Sequence, residues 1–95
     1  MSMKEAYHEK MDAQLKTWGA EIERLKAKAA MAKADVKVDY EKQLAELRAK
    51  HGEAHSKLEE LKRSSAAAWE ELKTSSEMAF DDIRQGLKTA AAKFK

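Results

Sequence analysis

Three groups of residues in this chain could do chemistry by type and spacing. His51 and His55 stand four apart with Glu59 one turn further on, so on a continuous helix two imidazoles and a carboxylate reach one ion. They supply only three ligands, and His51-Gly52-Glu53-Ala54-His55 lacks the H-E-x-x-H order of a zinc protease. The plainer reading is a pair of partly exposed histidines at a weak seam or turn, and no metal or other cofactor is expected. Trp18, Trp69, Phe80 and Phe94, with Tyr7 and Tyr40, could stack on nucleic-acid bases beside lysines. Recognition of that kind needs a one-sided basic surface, whereas 19 cations are mostly interleaved with 17 anions, which argues against a nucleic-acid partner. Glu59-Glu60, Glu70-Glu71 and Asp81-Asp82 are adjacent pairs, so on a helix they diverge by roughly 100° and cannot act as one acid/base couple. There is no cysteine to act as nucleophile or thiolate ligand and no glycine-rich phosphate loop. The chain is not expected to be an enzyme.

The aromatic residues share something other than chemistry. From Tyr7 to Phe94 a face recurs in steps of three or four, 24 steps over 87 residues, a mean of 3.625. That is close to the 3.6-residue period of an α-helix, so one apolar stripe stays in phase over the whole chain. Its large occupants are Tyr7, Met11, Leu15, Trp18, Ile22, Leu25, Val36, Tyr40, Leu44, Leu47, Leu58, Leu61, Trp69, Leu72, Phe80, Ile83, Leu87 and Phe94. Leu15 to Val36 keep strict 3-4 heptads, the spacing of a left-handed supercoil. From Trp69 an eleven-residue pattern places Ala91 on the face, and Leu25, Val36, Leu47, Leu58, Trp69, Phe80 and Ala91 form a ladder of elevens. Eleven residues in three turns favour nearly straight packing. The fold class is therefore all-α: a long amphipathic helix, continuous or folded into an antiparallel hairpin, packing as a coiled coil or helical bundle.

The stripe thins at Ala29 and Ala32, and again at His51, Ala54 and Ser65. Gly52 after Arg48, Lys50 and His51 could end a helix, with Ser56-Lys57-Leu58-Glu59 as a capping box opening another. That gives a hairpin turn at 52–55. Ser64-Ser65 is a second candidate break. Neither proline nor Asn-Gly enforces a turn, and the stripe keeps phase through 47–58, so the first expectation is a single unit over 1–95 with a continuous helix on the order of 140 Å long. Outer-face pairs Asp12 to Lys16, Glu46 to Lys50, Glu53 to Lys57 and Glu59 to Arg63 support it. Residues 24–37 sum to +4 and 69–82 to −4, and after Asp82 come only cations, Arg84, Lys88, Lys93 and Lys95. The complementary blocks could set the register of antiparallel neighbours.

Ala, Glu, Lys, Leu and Arg make 57 of the 95 residues, the composition of a long helix or coiled coil. Leu, Ile, Val and Phe number only 14, too few for a sizeable core in one chain. A stripe with so little to cover it asks for a partner helix. The expected oligomer interface is Leu15, Trp18, Ile22, Leu25, Val36, Tyr40, Leu44, Leu47, Leu58, Leu61, Trp69, Leu72, Phe80, Ile83, Leu87 and Phe94, made with a second copy or with another helical protein. The alternative is a membrane or lipid surface taken up by residues 69–94, whose apolar face ends in lysines. The charged opening segment has no secretory h-region and no run approaches a bilayer span, so the expected compartment is the cytoplasm.

The phrases Lys4-Glu5-Ala6-Tyr7, Gln14-Leu15-Lys16-Thr17-Trp18, Leu25-Lys26-Ala27-Lys28-Ala29, Gln43-Leu44-Ala45-Glu46-Leu47-Arg48-Ala49-Lys50, Leu58-Glu59-Glu60-Leu61-Lys62 and Ala68-Trp69-Glu70-Glu71-Leu72-Lys73, with Tyr40, resemble a family of small bacterial coiled-coil proteins, the cyanobacterial-type stress-response proteins. The resemblance runs over essentially the whole chain. It implies a small cytoplasmic helical protein linked to stress, with no catalytic residues to carry over. The ladder of elevens is also similar in period to the repeats of exchangeable apolipoproteins, without the prolines that punctuate those. The combined expectation is a non-enzymatic helical interaction or structural protein that self-associates or docks on a partner helix.

Overall fold

Most of the stripe is helical, but the chain reverses twice. A computed structural model describes residues 2–94, so Met1 and the terminal cation Lys95 lie outside the described residues. Three helices follow one another, α1 (Met3–Ala30), α2 (Ala34–Lys62) and α3 (Trp69–Lys93). Asp12 meets Lys62 and Leu15 meets His51, so α1 and α2 run antiparallel. Tyr40 stacks on Phe94 and Lys50 faces Asp82, so α2 and α3 do too. Tyr7 on Trp69 and Trp18 on Phe80 then place α3 parallel to α1. The result is an up-down-up bundle 51 Å long and 21 × 17 Å across. α2 packs against both neighbours, while α1 touches α3 only thinly. No described helix is long and apolar enough to cross a membrane.

The expected continuous helix of about 140 Å is thus replaced by a rod a third as long. The first reversal, at 31–33, carries neither Gly nor Pro. It falls between Ala29 and Val36, where the stripe offers least apolar area, so leaving the helix there forfeits little burial. Met31 caps α1 in a right-handed conformation, and Lys33 (φ −66°, ψ 152°) is the extended residue that opens α2. The second connection spans 63–68 and contains Ser64 and Ser65. The Ser64 hydroxyl donates to the Leu61 carbonyl at 2.7 Å, and the Ser65 hydroxyl accepts the Ala68 N–H at 3.3 Å. The turn expected at 52–55 lies instead inside α2. Gly52 has negative φ, as do all the described glycines, so it does not act as a left-handed cap. A side-chain N-cap does occur, but at the start of α1: the Ser2 hydroxyl accepts the Glu5 N–H at 3.1 Å and donates to the Glu5 carboxylate at 3.3 Å.

One contiguous core joins the helices. α1 contributes Met11, Leu15, Ile22, Leu25 and Ala29, α2 contributes Leu44, Leu47, Ala54, Leu58 and Leu61, and α3 contributes Phe80, Ile83, Leu87, Ala90, with Phe94 just past its end. Folding twice lets a narrow stripe find two partner faces in its own chain, which is how 14 large aliphatic and phenyl groups suffice.

Candidate functional site: the stripe and its ends

Of the sixteen residues expected at an oligomer seam, eleven are buried within the chain: Leu15, Ile22, Leu25, Leu44, Leu47, Leu58, Leu61, Phe80, Ile83, Leu87 and Phe94. Trp18, Tyr40, Trp69 and Leu72 are half-buried against that core, and Val36 is exposed. Within one molecule, the helices that cover this seam come from the same chain. The same holds for the face of residues 69–94 read as a lipid surface: Phe80, Ile83, Leu87 and Phe94 point into the bundle. Ala91 is exposed and Ala90 buried in its place, since Ser76, Phe80, Ile83, Leu87, Ala90 and Phe94 continue strict heptads rather than elevens.

At the end of the molecule where α1 begins, Tyr7, His8 and Trp69 form an aromatic triangle, with Tyr7 edge-on to Trp69 at 5.7 Å. Lys4 and Lys73 place their ammonium groups 5.2 and 5.5 Å from the Trp69 ring, and Lys73 also lies 5.3 Å from Tyr7. These contacts satisfy the charges against the ring faces. The Tyr7 hydroxyl, His8 Nε2 and Trp69 Nε1 are sealed from solvent without a hydrogen-bond partner in the protein. Burial first, then the negative charge of Glu77, pushes the Tyr7 phenol up to about 12. Nearby, Lys62 holds both Asp12 carboxylate oxygens at 2.8 and 3.0 Å and lies 3.4 Å from Glu59. The hydrogen bond to Asp12 keeps the Lys62 ammonium protonated above its usual range.

His51 and His55 do not converge on one point. His51 Nε2 lies 2.8 Å from the Leu15 carbonyl, and His55 Nε2 lies 3.6 Å from Glu59. His51 packs beside Gly19, where a Cβ would sit 3.6 Å from Nε2, an ordinary van der Waals contact. Among the described residues no three His, Asp or Glu side chains gather as a metal-ligand set. The expected outer-face pairs give way to others: Asp12 turns to Lys62 and Lys50 to Asp82 across helices, while Glu59 pairs within α2 with His55 and Lys62. The charge blocks do not face each other either, because 24–37 lies at one end of the rod and α3 begins at the other.

At that opposite end Tyr40 stacks on Phe94 at 4.1 Å and its hydroxyl donates to the Lys93 carbonyl at 2.9 Å, pinning the end of α3 to α2. Midway, Trp18 packs on Phe80 at 5.4 Å under the Arg84 guanidinium. Two close-packed positions escape a reading of large residues alone. Gly86 lies where a Cβ would come 3.0 Å from Leu47, fixing the approach of α3 to α2. Ser76 is wholly buried, its hydroxyl unpaired. Small residues beside Leu87 and on the stripe itself were the only trace of either. The arrangement as a whole seals apolar seams and clips the helices together at each end. Comparison with known proteins finds no matching family model, no matching curated protein and no matching solved structure.

Proposed function

We propose that this chain is a non-enzymatic helical interaction protein whose stripe is exchangeable. It is closed in the bundle and is offered to a second copy, or to a partner helix, when α1 swings away. The observation that carries this reading is the phase of the stripe across the first reversal: 25, 29, 32, 36 and 40 stay on one helical face although the chain turns at 31–33. An antiparallel bundle does not require that continuity. A fused α1–α2 helix does, since it would present one unbroken face to another molecule. Fusion needs Lys33 to move from extended to helical backbone, whereas Met31 is already right-handed. A closed monomer and a swapped dimer bury the same residues, so hinge strain and association entropy decide between them. The thin contact of α1 with α3 makes α1 the arm that leaves. The likeness of the helical phrases to small bacterial stress-response coiled-coil proteins supports placing that exchange in stressed cells.

Lys33→Pro tests this. Lys33 has φ −66°, the angle proline imposes, so the closed bundle tolerates the ring, whereas a helix running through 33 would lose about 3 kcal/mol. Sedimentation of the wild-type chain at rising concentration should show a dimer, and the variant should keep its helicity while its dimer fraction falls at least tenfold. A wild-type chain that stays monomeric and takes up no helical partner, or a variant that dimerises equally well, defeats the proposal.

A further inference from the structure

Antiparallel folding gathers two basic stretches, separated in sequence by most of α2 and α3, at one end of the rod. Lys26, Lys28, Lys33 and Lys37 come from the α1–α2 connection and the turns beside it. Lys88 and Lys93 come from the last turns of α3, and the Tyr40 hydroxyl on the Lys93 carbonyl holds the two groups together. None of these six lysines has a carboxylate within ion-pair distance among the described residues. Asp35 is the only acidic residue in 24–37 and 84–94 taken together. Within this basic rim stand Met31, 89% exposed, and Val36, 38% exposed, which share a shallow hollow with Lys28, Lys33 and Tyr40. Nothing in the fold needs a methionine in water at that point.

We infer that this end of the closed bundle docks on an anionic lipid surface, with the lysines against headgroup phosphates and Met31 and Val36 entering the interface. The chemistry selects that occupant. A headgroup layer is anionic outside and apolar just beneath, which matches apolar side chains inside a ring of lysines. A nucleic acid would neutralise the lysines but leave Met31 and Val36 in water. The size agrees, since an end 21 × 17 Å across can meet a plane without the helices separating. This differs from laying residues 69–94 flat on the membrane, which would require Phe80, Ile83 and Leu87 to leave the core.

The chain has no cysteine, so Met31→Cys and, at the far end, Glu60→Cys each give one site for an environment-sensitive nitrobenzoxadiazole label. On vesicles of phosphatidylcholine with roughly 30% phosphatidylglycerol the label at 31 should shift blue and brighten, and on pure phosphatidylcholine it should not. The label at 60 should stay silent, and so should emission from Trp69, which starts α3 about 36 Å from the basic end. Lys28→Gln with Lys33→Gln should weaken partitioning by about five-fold per lysine removed. No response at 31, or an equal response on neutral vesicles, overturns the inference. So does a response at 60 or a blue shift of Trp69, which would mean an opened chain lying flat. A response at 31 to rising protein concentration without vesicles would assign the surface to a second copy and equally overturn it.

Discussion

Gly52 and Gly86 sit inside helices with ordinary negative φ, so what separates them is what a methyl group would meet. Nothing lies within 4 Å of a Cβ at 52, and Leu47 lies 3.0 Å from one at 86. Gly52→Ala should therefore gain close to the full helix-propensity difference, about 1 kcal/mol in urea unfolding. Gly86→Ala should gain nothing or lose stability, because Leu47 has to move. Equal effects at the two sites would contradict the close approach of α2 and α3. Tyr7 gives a pH signature. Below pH 10 its phenol is neutral in both the folded and unfolded chain, and above that the unfolded chain ionises first because burial and Glu77 hold the folded group near 12. Its stabilising contribution is thus intact below pH 10 and is lost as pH rises through 12, and Lys62, also raised, acts in the same direction. Tyr7→Phe should flatten that alkaline decline, and an unchanged decline would show the hydroxyl is not sealed. Tyr7 was legible as an occupant of the stripe. Its raised phenol was not, since that depends on burial and on Glu77, seventy residues away and brought near only by folding.

At the scale of elements, helicity and the inward face were written in the spacing, and the reversals were not. Leu44, Leu47, Leu58 and Leu61 fall where the period puts them, all buried. Gly52 and the Ser56 capping box looked like a boundary, yet α2 runs through both because His51, Ala54 and Leu58 are needed in the seam. The turn at 31–33 has no residue that forces it, so local chemistry could not reveal it. It is set by the burial gained when helices of 28, 29 and 25 residues lie side by side. Leu58, fully buried in the middle element, should carry a correspondingly large share of stability. Leu58→Ala should cost about 2–5 kcal/mol, comparable with the whole stability of a domain this small, and leave a chain of low helicity in circular dichroism. A well-folded variant with an unchanged melting point would mean that Leu58 is not in the core.

For the whole molecule, the low apolar content that seemed to demand a second chain is met by folding twice, and the charge pattern acquires its meaning only then. The two charge blocks end up toward opposite ends of the rod, the basic one around Met31 and the acidic one of residues 69–82 from the end where α3 begins. The central claim is the double reversal, and the distance between residues 10 and 74 tests it most directly. Spin labels on Lys10→Cys and Thr74→Cys, in labelled chain diluted with unlabelled, report that distance within one molecule. Both residues lie toward the same end of the bundle, so pulsed electron resonance should give a short separation set by the 21 × 17 Å cross-section. A single hairpin turning at 52–55 would hold them about 35 Å apart and a continuous helix about 95 Å, and a dominant peak at either distance would contradict the fold.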